Sequence, residues 1–539
     1  MVPGIPDEEE SSMNHTGFAL LGACIIPDPG DGSDSVLIRG GRIEAVGNAW
    51  EIRQAAGDLF TLEVGGRPLS AGFHDAHAHF FQAGLAGGRL SLESCRSLTE
   101  TLDLLQDALA ADKGRGPFLA EAWDSTDWPD SPPARKHLDA VTSTRPVILR
   151  RVCGHIAVAN TPALALLARK WTGDGIDPDS GICVEGPALA MDQLFPPGKR
   201  ERRRAFQAAG DQCLQCGITT TTDFLSPDLL EMYRQEMGER PLPLRVRAYL
   251  VDPDAQAPDP PHENDRFRVE GIKLFADGSI GGGTAALEAD YANAKGERGV
   301  LLFTDAELAE AVRAGHDAGR RVAVHAIGDR AIRQVLDAFA ALNPEESRAL
   351  GHRIEHFEMP STEDMKRLRE LGVRPCMQPN FVGAWGMPGG LYERALGSAR
   401  WRRMNPLRSV ADSGAGLFFG SDGMPTSPLF GIASAVGHPV ESERLSPESA
   451  LRHYTLACAE ASGDSMRTGQ IRPGFDADLV IPAVWPGDEP PEENESLLTI
   501  LAGRVVHAAG PFQHLSTQDC DGSLLSSPGW PGPNGGTAS

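Results

Sequence analysis

What this chain has little of narrows the reading first. Only seven of its 539 residues are lysine, against 43 arginines, and its formal net charge is −24 at pH 7. That deficit of positive charge excludes charge-driven binding to nucleic acid or to an anionic membrane surface, since both need a basic face. No run of about 18 apolar residues occurs, so no membrane-spanning helix is expected. The first fifteen residues are acidic and polar, without the basic-then-apolar order of a secretory signal. Cysteine is sparse as well. The nine are scattered and odd in number, which fits reduced thiols in a cytoplasmic protein better than a disulfide framework. Cys213 and Cys216 form one CxxC with no second pair nearby, and their place at a helix end favours packing over metal or redox chemistry.

What is present is a β-rich segment at each end and a long alternating middle. Residues 1–15 and the Gly-, Ser- and Pro-rich stretch 515–539 are expected to be disordered. Strand-like runs at 17–20 and 35–47, with a Gly40-Gly41 turn, resemble those at 474–481 and 501–507. They predict one small β-sandwich made from 16–69 plus 466–514. Between them, candidate strands fall at 69–77, 217–223, 244–250, 269–276, 321–325, 352–356, 373–378 and 416–420. Helical patterns at 305–318, 330–342 and 362–371 separate several of these. An α/β fold follows, a TIM-like (β/α)8 barrel over 70–465, with its chemistry at the C-terminal strand ends. The stretch 85–210 is too long for one crossover and is read as an inserted, partly helical subdomain lying over the barrel mouth.

The strand ends carry a pattern. The first leads into His77-x-His79, and on a strand these alternate side chains would share one face. Two neutral imidazoles there make half a site for a borderline metal, or simply polar surface. The fourth strand carries Lys273, a lone lysine in an apolar run. The fifth ends in His325, the sixth in His356, and the eighth in Asp422. Each alone has a plain structural explanation, but their common position is hard to obtain by chance.

With these residues in view, the chain resembles the amidohydrolase superfamily, and within it amidohydrolase family 3. The stretches that carry the likeness are Gly72-Phe73-His74-Asp75-Ala76-His77-Ala78-His79, Gly271-Ile272-Lys273-Leu274-Phe275-Ala276-Asp277-Gly278, and Val324-His325-Ala326-Ile327-Gly328-Asp329. Arg353-Ile354-Glu355-His356, Gly420-Ser421-Asp422-Gly423 and Pro473-Gly474-Phe475-Asp476-Ala477-Asp478 extend it. Two departures stand out. Ala71 replaces the family's usual proline, and Gly423 its usual alanine, and neither removes a ligand position.

The resemblance implies a metal-dependent hydrolase acting on a non-peptide C–N bond, such as an amide or N-substituted formamide. It assigns His77, His79 and Asp422 to one divalent ion, His325 and His356 to a second, and Lys273 to a bridge as its CO2 adduct. Zinc suits such ligands, with one ion or two left open. An ordinary ion pair from Lys273 to Asp277 or another carboxylate is the competing explanation. Asp422 would shuttle a proton, and His155 in the insertion would contact the substrate oxyanion or be an ordinary histidine. Trp123, Trp128, Phe381 and Trp385 would line an apolar substrate wall or serve as packing. Alternatives are a deaminase or cyclic-amide hydrolase with one metal, and a non-catalytic ligand-binding barrel. The expected partner is a small-molecule amide-type substrate, with no nucleic acid and no membrane, and with a homodimer left open.

Overall fold

The computed structural model describes residues 17–114, 116–125, 128–151, 156–184, 186–251, 264–485 and 496–515. Of the stretches expected to be disordered, 1–15 and all of 515–539 except Leu515 lie outside the described residues. Contacts divide the chain into two compact units. One comprises the described residues up to His79 together with those from Asp211 onward, and the other is Phe80–Gly210.

In the first unit, eight strands form a parallel sheet in which every strand pairs with the next in sequence. They are β1 (Phe73–Asp75), β2 (Ile218–Leu225), β3 (Arg245–Val251), β4 (Phe267–Phe275), β5 (Arg321–Ala326), β6 (Arg353–His356), β7 (Arg374–Met377) and β8 (Phe418–Phe419). Their residues are mostly buried, as expected of parallel strands covered on both faces. The helices α1 (Asp305–Asp317), α2 (Asp329–Ala340) and α3 (Thr362–Leu371) lie where the 3.6-residue pattern predicts them. Capping boxes start α1 at Thr304 and α3 at Ser361, each supplying partners for backbone N–H groups that the first turn leaves free. The sheet closes on itself. Ala76 N donates to Phe419 O at 3.2 Å and Asp422 N to His77 O at 2.6 Å. The fold is thus the TIM-like barrel that the alternation predicts.

One expectation fails locally. The single strand predicted over 69–77 is two strands: Pro68–Ala71 belongs to a different sheet, and only Phe73–Asp75 enters the barrel. Gly72 makes the break. Its N–H donates to Asp478 O at 2.8 Å, and a Cβ there would stand 2.5 Å from the Thr219 side chain. His77 and His79 therefore lie in the turn after β1, not on a strand.

Both ends of the chain build further sheets in this unit. Gly17–Leu21, Ser35–Arg39, Arg42–Gly47 and Phe60–Glu63 form one, and Cys24–Ile25, Pro68–Ala71, Leu479–Pro482, Ser496–Leu501 and Arg504–Ala508 another. Leu20, Val36, Leu62 and Leu69 share a core with Leu479, Ile481, Leu498 and Ile500. The second unit holds a five-stranded sheet with the parallel pair Phe118–Trp123 and Val147–Arg151 near its middle. No helix among the described residues is long and apolar enough to cross a membrane.

A buried ion pair ties barrel to terminal sheet. Arg245 of β3 donates to Asp476 at 2.9 Å and also to Asp478, and all three side chains are almost wholly buried. Removing Arg245 leaves Asp478 buried without an ion-pair partner, while Asp476 keeps Arg467 at 3.0 Å; the cost is about 3–5 kcal/mol. Arg245→Ala should lower unfolding free energy by about that amount in urea titration; a loss under about 1 kcal/mol would show that the pair is solvated and the link unimportant.

Candidate active site

The turns at the C-terminal ends of β1, β5, β6 and β8 bring the predicted residues together. Donor atoms of His77, His356 and Asp422 all lie within 4.8 Å of one another. His79 Nε2 stands 2.9 Å from Asp422 Oδ1 and His77 Nε2 3.5 Å from the same oxygen. Yet that oxygen accepts no well-directed hydrogen bond. Donors packed this closely without pointing at one another suit ligands around a shared ion, because tetrahedral bonds of about 2.0–2.1 Å leave donors roughly 3.3 Å apart. His325 joins through its ring, 4.5 Å from that of His356. Its Nε2 is turned toward Gly278 O at 3.1 Å and Asp277 Oδ1 at 3.4 Å. The tight group thus mixes His77 and Asp422 with His356, where the resemblance divides them between two ions.

The backbone here is constrained. His356 (φ 73°), Phe357 (φ 49°) and Asp422 (φ 55°) are left-handed, a conformation that costs free energy and persists only when surroundings enforce it. For Asp422 the enforcing contact is its own N–H on His77 O. Close approach also matters next door: a Cβ at Gly420 would lie 2.3 Å from His77 N.

Two imidazoles, His77 and His356, are held neutral and oriented, whereas for His79 burial is outweighed by Asp422, which raises it. Burial pushes His77 down to about 4, and Glu355 Oε2 accepts from its Nδ1 at 2.6 Å. Burial holds His356 well below its ordinary value as well, and Gln378 Oε1 accepts from its Nδ1 at 2.7 Å. Both rings therefore keep a free Nε2 lone pair, as a metal ligand requires. Burial works against the charged form of Asp422, but His79, His77 and Lys273 together hold its carboxyl below the usual range.

Lys273 is only 1% exposed, and its Nζ has no hydrogen-bond partner. It lies over the rings of Phe224, 4.5 Å from the centroid, and Phe275, 5.0 Å. Burial lowers it to about 8. The ion pair to Asp277 is not formed. Asp277 instead accepts from Ala286 N, Ile327 N and Gly328 N at 2.8–3.0 Å. An orphaned amine among neutral imidazoles and one aspartate fits a site that takes divalent metal with an added anion.

Two supporting residues escape a reading of strand ends alone. Glu355 sits one residue before His356, fully buried, and is clamped by Arg353. Burial would raise its carboxyl, but Arg353 and His77 hold it well below the ordinary value. Arg353 also donates to Ala76 O at 2.7 Å, fixing the turn that carries His77. A charged pair inside an apolar barrel strand was the available signal. Gln378 follows β7, the one late strand for which no site residue was expected. Phe381 stacks on His356 with planes 9° apart, and Trp385 lies against Phe381 at 4.8 Å. Trp123 and Trp128 instead pack in the hydrophobic core of the second unit. His155 lies outside the described residues.

Comparison with known proteins shows the family. The profile of the amidohydrolase family matches residues 63–507. Protein LONG AFTER FAR-RED 3 of Arabidopsis thaliana is 28% identical, covering 85% of this chain and 85% of its own. N-substituted formamide deformylase of Arthrobacter pascens is 25% identical over 83% of this chain and 90% of its own. Among solved structures, an uncharacterized metal-dependent hydrolase from Pyrococcus furiosus superposes with a TM-score of 0.73 at 26% identity, covering 86% of this chain and 98% of that one. With its profile matched over most of the length, this chain belongs to the amidohydrolase family and is a hydrolase.

Proposed function

We propose that the chain is a metal-dependent hydrolase of a non-peptide carbon–nitrogen bond, an amide or N-substituted formamide. The observation that carries this reading is the buried set of neutral imidazoles around Asp422 with an unpartnered lysine beside it. The likeness to the Arthrobacter formamide deformylase supports the substrate class.

His77, His79, His356 and Asp422 would hold a divalent ion, with His325 and Lys273 completing a second position; zinc fits imidazole and carboxylate donors. When bound, such an ion supplies Lewis acidity toward a carbonyl and toward water. The protein's own groups do the rest. Asp422 takes the proton of the attacking water on a carboxylate oxygen and delivers it to the departing nitrogen, which needs no further group to move. Glu355 and Gln378 keep the Nδ1 protons of His77 and His356 in place and so keep Nε2 aimed inward. Phe381 covers one face of His356 and excludes water from that side.

Lys273 supplies the missing charge. Four histidines, which ligate a metal only as neutral imidazoles, and one aspartate would offer a single negative charge against two divalent ions. A neutral Nζ can add to CO2, forming an N–C bond and releasing one proton, and the resulting carbamate presents two anionic oxygens. Burial without an ion-pair partner favours that neutral amine.

Measurements on the wild type and on four variants test this. Purified protein screened against N-substituted formamides, simple amides and cyclic imides should turn over a formamide or amide and lose that activity to EDTA. His77→Ala should remove bound metal and at least about 100-fold of activity while the far-ultraviolet spectrum is kept, a loss at least as large as that of a supporting residue. Full metal content and turnover in that variant would refute the assignment. Glu355→Gln, which keeps shape but not charge, should cost about 10–100-fold in metal affinity or activity; an unchanged affinity would make Glu355 a packing residue only. Lys273→Ala should lose most activity and one metal equivalent, with partial rescue by acetate or propionate. Lys273→Arg should not be rescued, because guanidinium stays cationic. A fully active wild type with one ion and an unmodified lysine would overturn the two-metal reading.

A further inference from the structure

A second cavity, of about 400 Å3, opens on the first unit where the segment after β6 meets the residues that follow 400. That volume is within the range of small-molecule sites, about 300–1,000 Å3. Its charges are unevenly committed. The carboxylates on its wall are already engaged: Asp364 accepts from Ser361 N at 2.9 Å, Glu443 from Ser409 N at 2.9 Å, and Asp329 from Glu288 N at 2.8 Å. The guanidinium groups of Arg400, Arg402 and Arg403, by contrast, have no carboxylate within ion-pair distance. Arg400 donates only to the carbonyls of Leu396, Ala289 and Asp290. The side chains of Arg402 and Arg403 are exposed and form no ion pair or hydrogen bond among the described residues, though Arg402 lies near enough to Glu393 to lower its carboxyl. Arg333, paired with Glu288 at 2.9 Å but 53% exposed, stands on the opposite wall.

Three guanidinium groups without a carboxylate at one cavity are unexpected in a chain whose net charge is −24. Most of the other arginines in this unit with a partner have a carboxylate, as Arg245, Arg247 and Arg268 do. The amino ends of α2 and α3 reach the same cavity through Asp329 and Thr362, adding the partial positive charge of the helix dipoles. Met359, Pro360, Met365 and Val440 give it an apolar side. Planar guanidinium forks match phosphate and carboxylate oxygens two at a time.

We infer that this cavity is a binding site for a small organic anion, a phosphate ester or a dicarboxylate, separate from the candidate active site. Arg402 and Arg403 grip its charged end, and the methionines and prolines receive its apolar part. The site is not isolated from the chemistry. Its wall begins at Met359, three residues after His356, and continues through Pro406, next to the left-handed Asn405. An anion seated there contacts residues next to both constrained segments.

The test uses the full chain titrated with inorganic phosphate and, separately, with succinate, at constant ionic strength set by chloride. Calorimetry and thermal denaturation read binding directly, whether or not the hydrolase substrate is known. One of the two anions should bind saturably and raise the melting temperature. Which one does so separates a phosphate from a carboxylate source. Arg402→Ala with Arg403→Ala should weaken that binding at least tenfold. Arg408→Ala, which removes an exposed arginine paired with Asp412 outside the cavity, should leave it unchanged. No saturable binding beyond chloride for either anion would overturn the site. Equal binding by the double variant would overturn it as well, because the anion would then be held elsewhere, for instance at the candidate active site.

Discussion

Everything at the candidate active site depends on how the barrel closes. The first and last strands are its shortest, three residues in β1 and two in β8, and they form no regular ladder with each other. Side-chain and turn contacts take the ladder's place. Ser421 donates to Asp75 from both its backbone N, at 2.8 Å, and its hydroxyl. Asp422 N reaches His77 O across the same seam. Buried backbone groups must find partners, so the seam cannot open without leaving several unsatisfied. Because His77 and Asp422 stand on its two sides, closing the barrel and bringing these two donors together are one event.

Beneath the seam lies a second tier of charge. Arg353 and Glu355 pair in full burial, where an unpaired ion would cost several kcal/mol. Each also reaches upward, Arg353 to the Ala76 carbonyl and Glu355 to His77 Nδ1. Such a pair contributes little net stability on its own account. What it supplies is direction, since only one placement of the His77 turn satisfies both partners.

Much of this was legible in the sequence, for identifiable reasons. Parallel strands buried on both faces read as short apolar runs, so β2 through β7 lie within a few residues of their predicted positions. Site residues stood out as polar side chains where those runs stop, as His325, His356 and Asp422 do. The break at Gly72 was hidden because small and apolar residues continue from Leu69 to Phe73 across it. Only the tertiary approach of Thr219 and Asp478 shows why the chain must change sheets there. Glu355 and Gln378 were hidden differently. Their partners lie on other strands, and no local pattern records a hydrogen bond across the barrel. The Arg402 and Arg403 cavity was invisible for the same reason, being assembled from helix ends and turns far apart in the sequence.

The pairing of Ser70 with Val480 has a consequence for how the chain is made. The segment that completes the amino-terminal sheets is synthesised about 410 residues after its partner. At ribosomal rates of about 5–20 residues per second, the early strands wait roughly 20–80 s for it. Throughout that interval the apolar faces of Leu20, Val36 and Leu69 lack the cover that Leu479 and Ile481 later provide. The nascent protein therefore carries an exposed sheet edge for most of its synthesis. Protection from aggregation in that period has to come from outside the chain.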